Sequence, residues 1–147
     1  MSFEALVCKI VADYATDHDP LREAACIAEI TERVGCILCV ADPEHQATAK
    51  LRILLVHPDG RGRGVGCRLL DTSLEFGRKA GYQRARLWTN HPLVAARQLY
   101  LARGFELIEE EPHHSFGVDL VGQVYELNLC DSLGVANQGP RSAARRA

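Results

Sequence analysis

One glycine-rich run, in which glycine stands at every second position from Gly60 to Gly66, constrains the fold more than any other feature of the chain. It follows a strand-like apolar segment, Leu51 to Val56, and precedes a helix-like segment, Val65 to Ala80. A turn of this kind leaves backbone N–H groups unpaired beside the positive end of the helix dipole. Glycines let a phosphate approach the backbone because they have no Cβ. Since Arg61 and Arg63 add positive charge, the run predicts a site for a phosphorylated cofactor.

The spacing of these glycines excludes two common phosphate-binding loops. A Walker A loop has Lys and then Ser or Thr after its last glycine, whereas Cys67 follows Gly66 here. The dinucleotide fingerprint G-x-G-x-x-G does not fit glycines that alternate with other residues. A plain surface turn remains an alternative on the pattern alone.

Two short patterns resemble signatures of the GNAT family of N-acetyltransferases. The first, Arg-x-x-Gly-x-Gly, lies at Arg61 to Gly66, and the second, A-x-x-L-Y-x-x-x-G-F, lies at Ala96 to Phe105. The sequences of residues 87–90, 112–117 and 120–123 also resemble those of a narrower subgroup, the acetyltransferase domains fused behind MarR-type winged-helix repressors. The resemblance extends from about Phe3 to Leu129.

This resemblance implies an α+β fold with a mixed, mainly antiparallel central sheet of about six strands flanked by helices. The predicted domain is residues 1–130, and a polar tail, residues 131–147, is expected to be disordered because it buries too little apolar surface. Periodicity predicts a first helix from Phe3 to Tyr14. It also predicts further elements at 24–30, 34–40, 50–56, 65–80, 86–90, 93–103, 105–110 and 118–129. Relative to the family, a first strand and a first helix are expected to be missing. The 24–30 strand would then form an open edge, which suggests a possible homodimer.

The resemblance implies transfer of an acetyl group from acetyl-CoA to a primary amine by direct attack. The acceptor would be a small molecule or a protein, and no metal is required. Backbone groups at Leu55 and Val56 would hold the pantetheine arm. Tyr100 would protonate the departing sulfur, and Asn90 would replace a polar contact that the family makes where Leu93 stands. The diphosphate would be bound by the backbone of Arg61, Gly62, Arg63, Gly64, Val65 and Gly66.

The general base is left open by the sequence. His57, His113 and His114 are candidates because each is predicted to lie in a loop near the site, and an ordered water is a further possibility. The acidic run from Glu109 to Glu111 could attract a cationic amine or could simply be solvated.

Composition excludes several other classes of protein. The net charge of −2 and the absence of a dense basic run before the tail argue against a nucleic-acid partner. No apolar stretch approaches the ~18 residues of a membrane span, and no signal-peptide pattern is present, so a cytoplasmic location is expected.

The pair Cys36 and Cys39 falls on a predicted strand, where residues three apart point to opposite faces and do not share a metal. All six cysteines are expected to be small buried hydrophobes. Two other hypotheses remain: a catalytically weak acyl-CoA-binding or regulatory module, and an interaction domain without a cofactor.

Overall fold

The computed structural model describes residues 2–91 and 93–130, which form a six-stranded sheet with three α-helices. The strands follow the spatial order β1-β2-β3-β4-β6-β5, and every neighbouring pair is antiparallel except β3 and β4, which are parallel. The elements are α1 (Phe3–Thr16), β1 (Ala24–Glu29), β2 (Arg33–Ala41), β3 (Thr48–Val56), a short 3-10 turn (Pro58–Gly60), α2 (Val65–Lys79), β4 (Arg84–Asn90), α3 (Val94–Ala102), β5 (Glu106–Ser115) and β6 (Val118–Asn128).

One face of the sheet carries the hydrophobic core beneath α2 and α3. Leu69 and Leu70 of α2 are buried in the same apolar cluster as Ile37 of β2. Further along the sheet, the Tyr100 ring of α3 packs against Tyr125 of β6, with 6.2 Å between the ring centroids. Both helices bury one stripe of side chains because apolar residues recur at helical spacing.

The other face of the sheet lies on the side of α1. The helix begins at Ser2, whose hydroxyl accepts a hydrogen bond from the Ala5 N–H, as an N-cap does. Its apolar stripe, Leu6, Val7 and Ile10, is only half-buried, and no residue of α1 is fully buried. The stripe therefore covers an open space instead of packing into the core.

A bulge interrupts β3 near its middle. Cys36 pairs with Leu55 and Leu38 pairs with Arg52, so two steps along β2 correspond to three along β3. The extra residue is Ile53, which has a φ of 55°. This left-handed conformation is strained for a β-branched side chain, and bulges of this kind bend the strand that carries them.

Strands β3 and β4 separate just before this bulge. Their parallel pairing runs from Thr48–Arg84 to Leu51–Leu87 and then stops, although β3 continues to Val56 and β4 to Asn90. The last part of β3 therefore has no partner strand on its β4 side, and an opening forms between the two strands.

The predicted fold class is confirmed, and most predicted elements are present within a few residues. The predicted end of β5 at residue 110 was wrong: Pro112, His113 and His114 belong to β5, which continues to Ser115, because an edge strand tolerates a proline. The prediction that all six cysteines are buried holds only for Cys39, because Cys26, Cys36 and Cys67 are half-buried and Cys8 and Cys130 are exposed.

Two other predictions about chain organisation stay untested. Strand β1 does lie at an edge of the sheet, and homodimerisation through it remains a prediction. The predicted tail lies outside the described residues.

Gly35 provides a test of how tightly α2 packs against the sheet. A Cβ at this position would lie 2.9 Å from the Leu55 carbonyl oxygen and 2.9 Å from Leu69 Cδ1. We expect Gly35→Ala to lower the free energy of unfolding in urea by about 1–3 kcal/mol, the usual cost of overpacking. Gly77→Ala is the control, because its Cβ would meet Leu129 at 3.5 Å, an ordinary contact. Equal stabilities of the two variants would contradict the prediction.

Candidate functional site

A cavity of about 560 Å³ fills the opening between β3 and β4. The apolar stripe of α1 lines one side of it, and Leu93, Ala96 and Tyr100 line another. The part of β3 that has no partner on its β4 side reaches the cavity through Ile53, Leu54 and Leu55. A cavity bounded by such a free strand edge can accept a ligand that pairs with that edge.

The glycine-rich run forms a loop with free backbone donors. Gly62 and Gly64 have φ values of 74° and 72°, a conformation that glycine adopts without steric cost. Gly64 is also the N-cap residue of α2. Within the described residues, no hydrogen bond uses a backbone N–H between Gly62 and Cys67; the first helical bond runs from the Arg68 N–H to the Gly64 oxygen. These donors lie at the N-terminus of α2, the positive end of its dipole, which is the geometry of an anion site.

Two contacts join this loop to α3. A Cβ at Gly66 would lie 3.5 Å from Leu99 Cδ2, so the first turn of α2 approaches α3 closely. Arg103, directly after α3, donates two hydrogen bonds to Asp71 of α2, at 2.6 and 3.1 Å. A bidentate pair of this kind fixes the orientation of both partners. Because Tyr100 follows Leu99 in α3, these contacts fix the position of the glycine loop relative to Tyr100.

Tyr100 is buried, and its side chain still reaches the cavity. Its ring packs between Phe105 and Tyr125, and its hydroxyl makes no hydrogen bond within the described residues. Burial raises its pKa to about 12 because the phenolate would lose its hydration. The hydroxyl is therefore protonated at neutral pH and available as a donor.

Asn90, at the end of β4, is oriented by a histidine of β5. Its Oδ1 lies 3.0 Å from His113 Nε2, and His113 Nδ1 lies 2.8 Å from the Ser115 hydroxyl. An amide oxygen only accepts, so His113 Nε2 carries the proton and, in the neutral ring, Nδ1 accepts from Ser115. Asn90 lines the cavity and retains its amide donor, Nδ2, without a partner in the described residues.

His45, a histidine that lines the cavity, was not found by sequence reasoning. Its Nε2 lies 3.1 Å from Arg86 Nη1 and its Nδ1 lies 3.0 Å from Asp42 Oδ2. Because a guanidinium only donates, Nε2 accepts and Nδ1 donates to the carboxylate. Burial raises the pKa of Asp42, but the Glu44 N–H, His45 and Lys50 together outweigh it and lower that pKa below its usual value. The only signal in the sequence was an Asp and a His three residues apart in one polar loop.

A model of the acetyltransferase (GNAT) family matches residues 4–105 of the chain. The chain belongs to this family. An uncharacterized N-acetyltransferase of Methanocaldococcus jannaschii is 31% identical over 77 residues, which are 50% of this chain and 34% of the relative. Another uncharacterized N-acetyltransferase, from Archaeoglobus fulgidus, is 28% identical over 87 residues, 56% of this chain and 59% of the relative. The chain thus spans less than two thirds of both relatives.

The fold of this GNAT protein is similar to a solved structure that contains acetyl-CoA. That structure is of a protein from Salmonella typhimurium described as an acetyltransferase, with its cofactor acetyl-CoA. It matches with a TM-score of 0.70 and 20% identity over 83% of this chain and 73% of the other. At this level of identity the likeness shows the fold.

The structure brings some of the predicted site residues of this GNAT chain together in the cavity and leaves others outside it. Leu55, Asn90 and Tyr100 line the cavity, as does Glu109. The loop from Arg61 to Gly66 is outside the cavity lining, as is Val56, whose Cγ2 would lie 3.7 Å from a Cβ at Gly66.

The other predicted general bases have partners away from the cavity. His57 accepts a hydrogen bond from the Asp59 N–H, and His114 bonds to the exposed Asp119. Neither of these histidines lines the cavity, and His113, which bonds to Asn90, is outside the lining as well. Residues 2–91 and 93–130 contain no group of three or more His, Cys, Asp or Glu side chains placed to hold a metal. In the same residues, no helix combines the length and the apolarity that crossing a bilayer requires.

Tyr100 is expected to make part of the alkaline stability depend on pH. Its pKa rises from 10 to about 12 on folding, so the folded chain binds the phenol proton more tightly than the unfolded chain. This stabilisation is fully present below the unfolded pKa and is lost as the pH rises through the folded pKa. Two pKa units correspond to roughly 2–3 kcal/mol. We expect the free energy of unfolding to fall less for Tyr100→Phe than for the unchanged chain between about pH 10 and about pH 12. An equal fall in urea unfolding would contradict this.

Proposed function

We propose that this chain is an N-acetyltransferase that binds acetyl-CoA and acetylates a primary amine. The observation that carries the proposal is the row of unpartnered N–H groups from Gly62 to Cys67, held next to α3 and its tyrosine, in a chain of the GNAT family. The solved acetyl-CoA complex of a protein with this fold supports the choice of cofactor. We also infer that the chain is of the kind found in MarR-fused acetyltransferase domains, which residues 87–90, 112–117 and 120–123 resemble.

Two parts of this chain fit acetyl-CoA. The free N–H groups from Gly62 to Gly66, with Arg61 and Arg63 beside them, match the charge of a diphosphate. The unpaired edge of β3 at Leu55 and Val56 matches the amide groups of a pantetheine arm, which would pair with it as a strand does. Asn90 would add a side-chain donor from β4. When bound, acetyl-CoA supplies the activated acetyl group.

Tyr100 would assist the transfer by donating its proton. The acceptor ammonium first loses a proton, because only the neutral amine has a lone pair for attack. As the amine nitrogen forms its bond to the acetyl carbon, the carbon–sulfur bond breaks and Tyr100 donates its hydroxyl proton to the sulfur. The products are an N-acetyl amide, a free thiol and one proton, because the proton first lost by the ammonium goes to solvent. The nitrogen loses a second proton as the amide forms, and a proton taken up from solvent in its place restores the Tyr100 phenol.

Binding of acetyl-CoA depends on the glycine loop in this proposal. Gly64→Val places a β-branched residue at a φ of 72°, which shifts the neighbouring N–H groups. We expect Gly64→Val and Arg61→Ala each to weaken acetyl-CoA binding about tenfold or more in calorimetry, which equals ~1.4 kcal/mol. Lys79→Ala removes one charge at the other end of α2 and serves as the control with unchanged affinity. Unchanged affinity in both loop variants would remove the loop from the site.

Turnover depends on Tyr100 in this proposal, whereas binding does not. We expect Tyr100→Phe to lower kcat by about 100-fold, the usual contribution of one acid, with the Kd of acetyl-CoA within about twofold. Tyr82→Phe is the matched control, because the Tyr82 hydroxyl bonds to the Arg22 oxygen and does not line the cavity. Equal kcat values for Tyr100→Phe and Tyr82→Phe would exclude Tyr100 from the mechanism.

The same measurements separate the transferase from the alternative predicted by the sequence. An acyl-CoA-binding or regulatory module would bind acetyl-CoA and lose affinity in the loop variants, yet release no thiol with a broad panel of amines. Absence of any heat of binding with acetyl-CoA would overturn both functions.

A further inference from the structure

The wall of the cavity formed by the sheet carries charged side chains that the proposed acetyl-CoA contacts do not use. Three of them are already neutralised: Arg86 donates to the Glu126 carboxylate at 2.7 Å, and Asp42 interacts with His45 and Lys50. Glu44 lies on the exposed loop after β2. The charged residues of the cavity lining are Asp42, Glu44, Lys50, Arg52, Arg86 and Glu109.

Trp88 of β4, between β3 and β6, presents an aromatic surface in this wall. A Cβ on Gly122 of β6 would lie 2.8 Å from its Nε1, so the indole rests directly on the backbone of the neighbouring strand. The His113 ring, itself held by Asn90 and Ser115, lies at its side with 5.4 Å between the centroids. About half of the Trp88 surface, 49%, stays exposed, and the residue lines the cavity. A fixed and exposed aromatic face attracts cations.

Glu109 adds a negative charge in the same row of the sheet. It pairs with Val124, which pairs with Trp88, so the three side chains lie on one face across three neighbouring strands. Within the described residues, no ion pair or hydrogen bond uses the Glu109 carboxylate, whereas the next residue, Glu110, accepts from Gln123. A free carboxylate beside an aromatic face is a site for an ammonium group.

Arg52 adds a positive charge on the opposite side of Trp88. Lys50 pairs with Arg86 in the parallel ladder, so the residues two positions further along, Arg52 and Trp88, lie on that same face. Arg52 is half-buried, and no ion pair or hydrogen bond uses its guanidinium within the described residues. A half-buried guanidinium without a counter-ion favours a carboxylate or another planar anion.

We propose that the acceptor is a compact zwitterion of the α-amino acid class, with its ammonium group at Trp88 and Glu109 and its carboxylate at Arg52. The inference rests on the proposed function and names its substrate. Arg52 and Glu109 lie on β3 and β5, three strand positions apart, and β3 no longer pairs with β4 at Arg52, so their backbones are at least about 15 Å apart. Side chains as long as those of arginine and glutamate can span part of this distance from each end. An ammonium and a carboxylate on one carbon fit between them, whereas a diamine would place its second cation against Arg52.

The test compares amino acids with the amines that lack only the carboxylate. Thiol release from acetyl-CoA is measured with phenylalanine and phenethylamine, tyrosine and tyramine, and histidine and histamine, together with the remaining common amino acids, spermidine and a short peptide. We expect at least one amino acid to have a kcat/KM about tenfold or more above that of its amine. Arg52→Gln should raise the KM of that amino acid about tenfold or more, leave the KM of the amine within about twofold, and leave the Kd of acetyl-CoA unchanged.

Two further variants keep the test decisive. Arg52→Lys retains the charge and should keep part of the preference, and Arg78→Gln, on α2, removes a charge elsewhere and should change nothing. Equal rates for amino acids and their amines, or transfer to spermidine or the peptide alone, would overturn the inference and leave the transferase intact. Binding of acetyl-CoA without transfer to any amine would also overturn it. No binding of acetyl-CoA would overturn the proposed function itself.

Discussion

The end of the parallel pairing between β3 and β4 is the constraint on which the rest of this structure depends. The two strands share a ladder only from Thr48–Arg84 to Leu51–Leu87. Beyond it, the bulge at Ile53 bends β3 away while β4 continues in register with β6. The strained φ of Ile53 is sustained because its neighbours in β3 keep their pairing with β2. Without the divergence there would be neither a cavity nor an unpaired strand edge beside Tyr100.

The polar groups around this opening are held by partners that leave selected donors and charges free. Asn90 is turned by His113, and Arg86 is held between Glu126 and His45. Other groups, the Tyr100 hydroxyl and the Arg52 guanidinium among them, have no partner in the described residues. Buried and half-buried polar groups without partners cost free energy, so such groups are where a ligand gains most by binding.

Local sequence signals predicted the elements that local physics dictates. The apolar period from Phe3 to Tyr14 predicted α1, and the glycine run predicted the start of α2 with its free N–H groups. The extension of β5 through Pro112 was missed because proline and histidines are typical of a loop in isolation; pairing with β6 makes them a strand. His45 was missed for a similar reason, since only the fold brings Arg86 to within 3.1 Å of it. The bulge at Ile53 has no signature in its own side chain, because nothing in an isoleucine favours a positive φ.

The sequence by itself determined the glycine loop, the helix that follows it, the tyrosine of α3 and the family. Each of these depends on backbone conformation or on residues that are close together in the chain. Only the tertiary structure decided that β3 and β4 separate, that Asn90 meets His113, and that Arg52, Trp88 and Glu109 share one face of the cavity. These relations join residues of different strands, and strand register and bulges fix them through pairing that a one-dimensional pattern does not contain.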